Sequence, residues 1–135
     1  MSARKLSTGG TENAYRGRRI IYIAGPFRGP SNWAIVQNIR RAERLALEVW
    51  AMGHVALCPH LNTRNFQDAL PDWVWLLGDL SLVIRCDGVL LAHNWEKSKG
   101  SVGEMKHAML HGIPVFRSLS ELRRSFGSQQ MPVVE

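Results

Sequence analysis

Cysteine is scarce in this chain. Two of its 135 residues are cysteines, Cys58 and Cys86, and no CxxC spacing occurs. That excludes a disulfide framework and a cysteine zinc site, and it predicts a reduced, cytoplasmic setting. Long apolar runs are missing too. None reaches the ~18 residues that a membrane span requires, and the N-terminus has no hydrophobic stretch of the kind that opens a secretory signal. Nor is there an internal repeat, or a low-complexity segment inside the body of the chain.

Acidic residues are almost absent from the start of the chain. Residues 1–19 carry Arg4, Lys5, Arg16, Arg18 and Arg19 against Glu12 alone, whereas residues 20–116 hold nine basic and eight acidic side chains. The formal charge of +6 therefore belongs largely to a polar leader. The near-neutral body argues against a nucleic-acid backbone as partner. The leader, residues 1–18, has the composition of a disordered segment. One domain is expected over residues 19–127, with 128–135 as a tail, and a hydrophobic content of 45% suits a single core of this size.

The apolar segments that are present are short, and helical periodicity separates them. "IIYIAG" (20–25), "HVALCP" (54–59), "GVLLAH" (88–93) and "IPVF" (113–116) read as buried strands. Ile35, Ile39, Ala42, Leu45, Ala46 and Val49 recur at helical spacing, behind a cap at Ser31 or Asn32 and ahead of Gly53. Trp73, Leu76, Leu80, Val83 and Ile84 share one face of a second helix, from Asp72 to about Cys86. A third runs from about Val102 to His111, before Gly112, and a short last one covers 119–126. "HLNTRNFQDALP" and "NWEKSKGS" read as surface loops. Alternating strand and helix predicts a three-layer α/β fold, with a parallel sheet of four to five strands covered on both faces. Right-handed crossovers then bring loops 25–32, 58–71 and 93–101 to one rim, where such folds bind ligands.

Glu104 stands on that rim with two readings. Ser101-Val102-Gly103-Glu104 fits the S-x-x-E capping box, in which the glutamate ties off a helix end. Gly103 does not help a plain cap, because glycine weakens a first helical turn, but it lets a ligand approach the backbone. Ser98, Gly100, Ser101 and Gly103 together suit an anion held at a helix N-terminus. Asp79, among Trp75, Leu76, Leu77, Leu80 and Leu82, is either on the outer stripe of its helix or a partly buried acid. Asp72 is its rival for an acid role, and Asp87 fits an Asp-Gly turn. Arg28 is either a solvated loop arginine or a bidentate grip on phosphate. One face of the first strand presents Tyr22, and His60 stands on the rim. Trp33 and Trp95 are candidates for stacking on a base. His107 and His111 lie four apart but lack the Cys or HExxH context of a metal site, so neither metal nor cofactor is called for.

"YIAGPFRG", Asp79 eight residues before Asp87, "SKGSVGE" and "GIPVF" resemble, in that order, the nucleoside 2-deoxyribosyltransferase superfamily. The similarity spans about residues 20–117. Its nearest branch resembles the 2′-deoxynucleoside 5′-phosphate N-hydrolases, the related CMP hydrolases, and uncharacterised phage and bacterial relatives. The resemblance implies a flavodoxin-like (Rossmann-like) sheet and a homodimer acting on a small-molecule nucleotide. It implies Glu104 as nucleophile and Asp79 as partner acid. With the rim reading, it leads to the expectation that Tyr22, Gly25, Pro26, Phe27, Arg28, Gly29, His60, Ser98, Gly100 and Ser101 bind the substrate. The transferases usually carry an acid six residues before the nucleophile; Ser98 stands there in this chain, as in the nucleotide hydrolases. A serine beside Arg28 attracts phosphate where an acid would repel it, so a nucleoside monophosphate is expected over a free nucleoside. Two departures stand out: Pro26 replaces a serine common in the hydrolases, and "PHLNTRNF" is not typical of them.

Overall fold

The computed structural model describes residues 15–129 apart from Arg64 and Gln67, and without the side chain of His60. Residues 1–14 of the expected leader and 130–135 of the expected tail lie outside the described residues. In chain order the elements are β1 (Ile20–Ala24), α1 (Asn32–Ala51), β2 (Val55–Leu57), the one-turn α2 (Pro59–Asn62), α3 (Asp72–Val83), β3 (Gly88–Leu91), a 3-10 turn (Trp95–Lys97), α4 (Lys99–Leu110), β4 (Val115–Phe116) and α5 (Leu119–Phe126). The four strands are parallel and run in the order β2-β1-β3-β4. This is the expected flavodoxin-like α/β architecture, with a sheet of four strands.

Alternation along β1 assigns the two faces. Ile21 and Ile23 join Leu90 and Phe116 under α1 and α5, where Ala42, Ala46, Val49 and Leu122 complete one core. Tyr22 and Ala24 point the other way, into a second core with Val89, Leu91, Val83 and Ala108 beneath α3 and α4. Tyr22 therefore emerges on the α4 side of the sheet and is fully buried. The strand order places β2 and β3 on opposite sides of β1, so the connections after β1 and β3 leave in opposite directions and open a crevice at their carboxyl ends.

Local signals explain the boundaries. Ser31 caps α1, its Oγ accepting from the Ala34 N–H at 3.1 Å. Gly53, at φ +87°, turns the chain out of α1. Asp87 closes the opposite end of the sheet, its carboxylate accepting from the Ile20 N–H at 2.7 Å. His54, fully buried, accepts at Nδ1 from the Arg19 N–H and donates from Nε2 to the Gly127 carbonyl, tying the start of β1 to the end of α5.

Two helices differ from the sequence pattern. α3 ends at Val83, and of its expected apolar face Val83 alone is buried. Trp73 and Leu76 stay exposed because the helix meets the sheet through its C-terminal end, leaving its first two turns as one wall of a crevice. α4 starts at Lys99, three residues earlier than the spacing suggests, because Ser98 is its N-cap. No helix of the described residues is long and apolar enough to cross a membrane.

Candidate active site

The crevice holds a cavity of about 600 Å³. Its floor and rim come from the loop after β1 (Gly25, Pro26, Phe27, Arg28), α3 with the chain leading into it, and the segment from the 3-10 turn into α4. Of the residues singled out in the sequence, Gly25, Pro26, Phe27, Arg28, Asp79, Ser98, Gly100, Ser101 and Glu104 all line it. Tyr22 lies in the core and acts on Glu104 from there. Gly29 is turned away: a Cβ there would sit 2.6 Å from that of Ala34, so its small size serves the packing of the loop on α1. The backbone of His60 belongs to α2, and its side chain lies outside what is described.

The capping-box reading of Glu104 does not hold. Ser98 takes the cap position, its Oγ accepting from the Ser101 N–H at 3.2 Å, so Glu104 falls within the helix and its carboxyl is free for another use. Glu104 is buried, at 8% exposure. Burial pushes its pKa up to about 7; the Tyr22 hydroxyl lowers it, and the like charge of Asp79 raises it. Asp79, half-buried on α3, is pushed up to about 6 by desolvation. Both carboxyls thus titrate near neutrality. The Tyr22 hydroxyl is held far above its ordinary range by burial and by the carboxyls of Glu104 and Asp79, so it remains a proton donor.

Four buried polar side-chain atoms among the described residues have no hydrogen-bond partner: Tyr22 Oη, Trp75 Nε1, Ser101 Oγ and Glu104 Oε2. The Tyr22 hydroxyl and the Glu104 carboxyl are close enough to influence each other without meeting hydrogen-bond geometry. Three of these four residues line the cavity and the fourth lies against Glu104. Unpartnered buried polar groups cost about 1–3 kcal/mol each, and these four belong to residues that line one crevice or lie directly behind it.

The two walls differ in chemistry. α3 and the loop after β1 supply Phe27, Trp73, Trp75 and Leu76 around Asp79. The other wall supplies Lys97, Ser98, Lys99, Gly100 and Ser101, with no acid in the first turn of α4. Helix N-terminal amides and two flanking cations make that wall attractive to an anion. At the mouth, Arg28 pairs with Asp72 at 2.6 Å, both side chains largely exposed. Asp72 is therefore the partner of the arginine at the rim, while Asp79, half-buried, is close enough to Glu104 to raise its pKa.

Sequence reasoning misses Lys97, Lys99, Trp73 and Trp75. The signal for the lysines is their position on either side of Ser98. Helical phase assigns Trp73 to the core, and loop position favours Trp33 and Trp95 as stacking surfaces. Neither of those two lines the cavity: Trp33 is exposed, and Trp95 packs on the α4-side core beneath Arg117. The rings of His107 and His111 lie 4.3 Å apart at their centroids, tilted by 45°, with His111 Nδ1 bonding the His107 carbonyl, and among the described residues no three His, Cys, Asp or Glu side chains form a metal-binding group.

A family model described as a domain of unknown function (DUF7768) matches residues 19–118. The chain belongs to the DUF7768 family. No curated protein matches it. The DUF7768 domain is similar in fold to the solved structure of a 2-deoxyribosyltransferase from the psychrotolerant bacterium Bacillus psychrosaccharolyticus, described as a biocatalyst for nucleoside synthesis. The TM-score is 0.53 at 20% identity, over 71% of this chain and 69% of the other.

Proposed function

We propose that this DUF7768 protein is an N-glycosidase that cleaves the base–sugar bond of a (deoxy)nucleoside 5′-monophosphate. The observation that carries the reading is the pair Glu104 and Asp79, two carboxyls of raised pKa in one crevice, between an aromatic wall and a cationic one. Ionised Glu104 attacks the anomeric carbon, and the bond to the base breaks as Asp79 delivers a proton to the base. Water, giving its proton to Asp79, then opens the glycosyl ester and returns Glu104 as a carboxylate. This is the retaining pattern, in which two carboxyls divide the work. Tyr22 supports it by stabilising the ionised nucleophile from below.

The phosphate reading rests on the α4 wall. Ser98 uses its Oγ as acceptor toward Ser101 and keeps its own proton to donate, while Lys97 and Lys99 make no ion pair among the described residues. Similarity in fold to a 2-deoxyribosyltransferase supports glycosyl transfer as the chemistry; with a second base in place of water, the same ester would yield a transferase. A cytoplasmic setting is the one we expect for two buried thiols, Cys58 and Cys86. A homodimer is the assembly we expect, since Trp73, Leu76 and Leu77 expose a large apolar lip on α3.

The test is chromatographic detection of free base after incubation with ribo- and deoxyribonucleoside monophosphates, with nucleosides alongside. Release from monophosphates supports the reading. Binding without release from any compound would make the protein a nucleotide sensor instead.

A further inference from the structure

Asn38 stands on α1, outside the lining of the cavity, and the chemistry above gives it no task. Its Nδ2 donates to two backbone carbonyls, those of Phe27 and Arg28, at 3.2 Å each. A side-chain amide has two N–H donors, so one serves each carbonyl. Both partners are acceptors only, which fixes the amide with its nitrogen toward the loop. The two carbonyls belong to consecutive residues of the loop after β1, and the second is that of Arg28, which lines the mouth of the cavity.

The same face of α1 seats the residue that follows. Ala34 lies one turn before Asn38, and a Cβ on Gly29 would stand 2.6 Å from the Ala34 Cβ. Residues 27–29 therefore run along α1, held by close packing at Ala34 and by the amide at Asn38. The consequence falls on Arg28. Its Cα joins two planar peptides, and the carbonyl of each is tied to Asn38. Holding both planes fixes φ and ψ of Arg28, and with them the direction in which its side chain leaves the backbone. The exposed guanidinium can then exchange Asp72, its partner at 2.6 Å, for another anion by rotation of the side chain alone.

We propose that Asn38 is a positioning residue for phosphate binding: by tying the Phe27 and Arg28 carbonyls to α1, it aims Arg28 across the mouth of the cavity. This rests on the reading of Arg28 as a phosphate ligand within the proposed function. Without the amide, two carbonyls lose their donor and the loop gains conformational freedom. Each binding event must then order the backbone of the loop as well as the arginine side chain, which weakens binding. The effect reaches the substrate through Arg28, so it belongs to ligands that carry a phosphate.

The test is a double-mutant cycle on binding by the full chain, with Arg28→Ala, Asn38→Leu and the two combined. Leucine is close to asparagine in size and shape and has no donor. Calorimetry with dUMP, dCMP, dAMP and dGMP identifies the monophosphate that wild type binds best, and its nucleoside is measured alongside. Asn38→Leu should weaken that monophosphate by about tenfold, the scale set by two neutral hydrogen bonds. The nucleoside should lose less than about twofold, and so should the monophosphate when Asn38→Leu is added to Arg28→Ala. Equal losses for the two ligands, or a loss as large without Arg28 as with it, would overturn the positioning role. An unaffected Asn38→Leu beside a weakened Arg28→Ala would also overturn it, while leaving the phosphate reading in place. Monophosphate affinity untouched by Arg28→Ala, or no binding of any of the four, would sink the phosphate reading and the positioning role with it. Should Asn38→Leu misfold, Asn38→Asp takes its place in the cycle, since it keeps the shape and polarity of the side chain and removes the donor.

Discussion

Arg28 and Asp72 meet at 2.6 Å across the mouth of the cavity, joining the loop after β1 to the first residue of α3. An exposed ion pair of this kind contributes about 1 kcal/mol or less to stability, so it does little to hold the fold. Its consequence is for binding: a phosphate that takes Arg28 must displace a carboxylate. Asp72→Asn should therefore tighten monophosphates by up to about fivefold and leave nucleosides unchanged. Arg28→Ala should weaken monophosphates far more than nucleosides. Calorimetry on both variants reads this; a loss of affinity in Asp72→Asn would instead make Asp72 a direct contact to the substrate.

The carboxyl pair sets the pH dependence. Glu104 titrates at about 7 and Asp79 at about 6, and in the proposed mechanism the pair works with one proton between them. Below about 6 both are protonated and the nucleophile is lost; above about 7 both are ionised and the acid is lost. The kcat/KM profile should be a bell with its optimum between those two values. A rate that climbs steadily to pH 9 would contradict it.

Tyr22→Phe sharpens the same point. The hydroxyl lowers the pKa of Glu104, so its removal raises that pKa further. The shared proton then sits more often on Glu104 and less on Asp79, which is the unproductive arrangement. The alkaline limb should move up in pH and the plateau of kcat/KM should fall. A Glu104 pKa higher by one corresponds to a plateau lower by roughly tenfold. An unchanged profile would remove Tyr22 from the site.

Glu104 also costs the fold stability once it ionises. Its pKa rises from 4.5 to about 7 on folding. Its contribution is thus fully present below about 4.5 and is lost as pH rises through about 7. The loss approaches about 3 kcal/mol at most. Glu104→Gln should abolish base release yet raise the melting temperature at pH 8, with little change at pH 4.5. Equal effects at both pH values would show that the carboxylate is better solvated than its burial implies.

Much of the frame is legible from residue order. Four apolar runs become the four strands, and Ser31 and Gly53 bound α1 as their chemistry dictates. Asp79, Arg28, Ser98 and Glu104 stand out because they occupy loop or helix positions where a solvated reading and a ligand reading compete. What escapes are choices between equivalent local signals. Ser98 and Ser101 are both plausible caps, and only the path of the 3-10 turn gives the cap to Ser98, which frees Glu104. Helical phase marks Trp73 as core, although the sheet is too narrow to cover the start of α3. The α2 turn hides where the apolar run HVALCP gives way to the polar stretch after it; its first residue is Pro59, at home in a first helical turn.

The most direct measurement is intact-protein mass spectrometry on wild type and Glu104→Gln, quenched during turnover of a nucleoside monophosphate that releases base. Wild type should show a species heavier by one sugar phosphate, with the added mass on the peptide that contains Glu104, and the variant should show none. Base release by Glu104→Gln at the wild-type rate, with no adduct on either protein, would contradict a glutamyl intermediate.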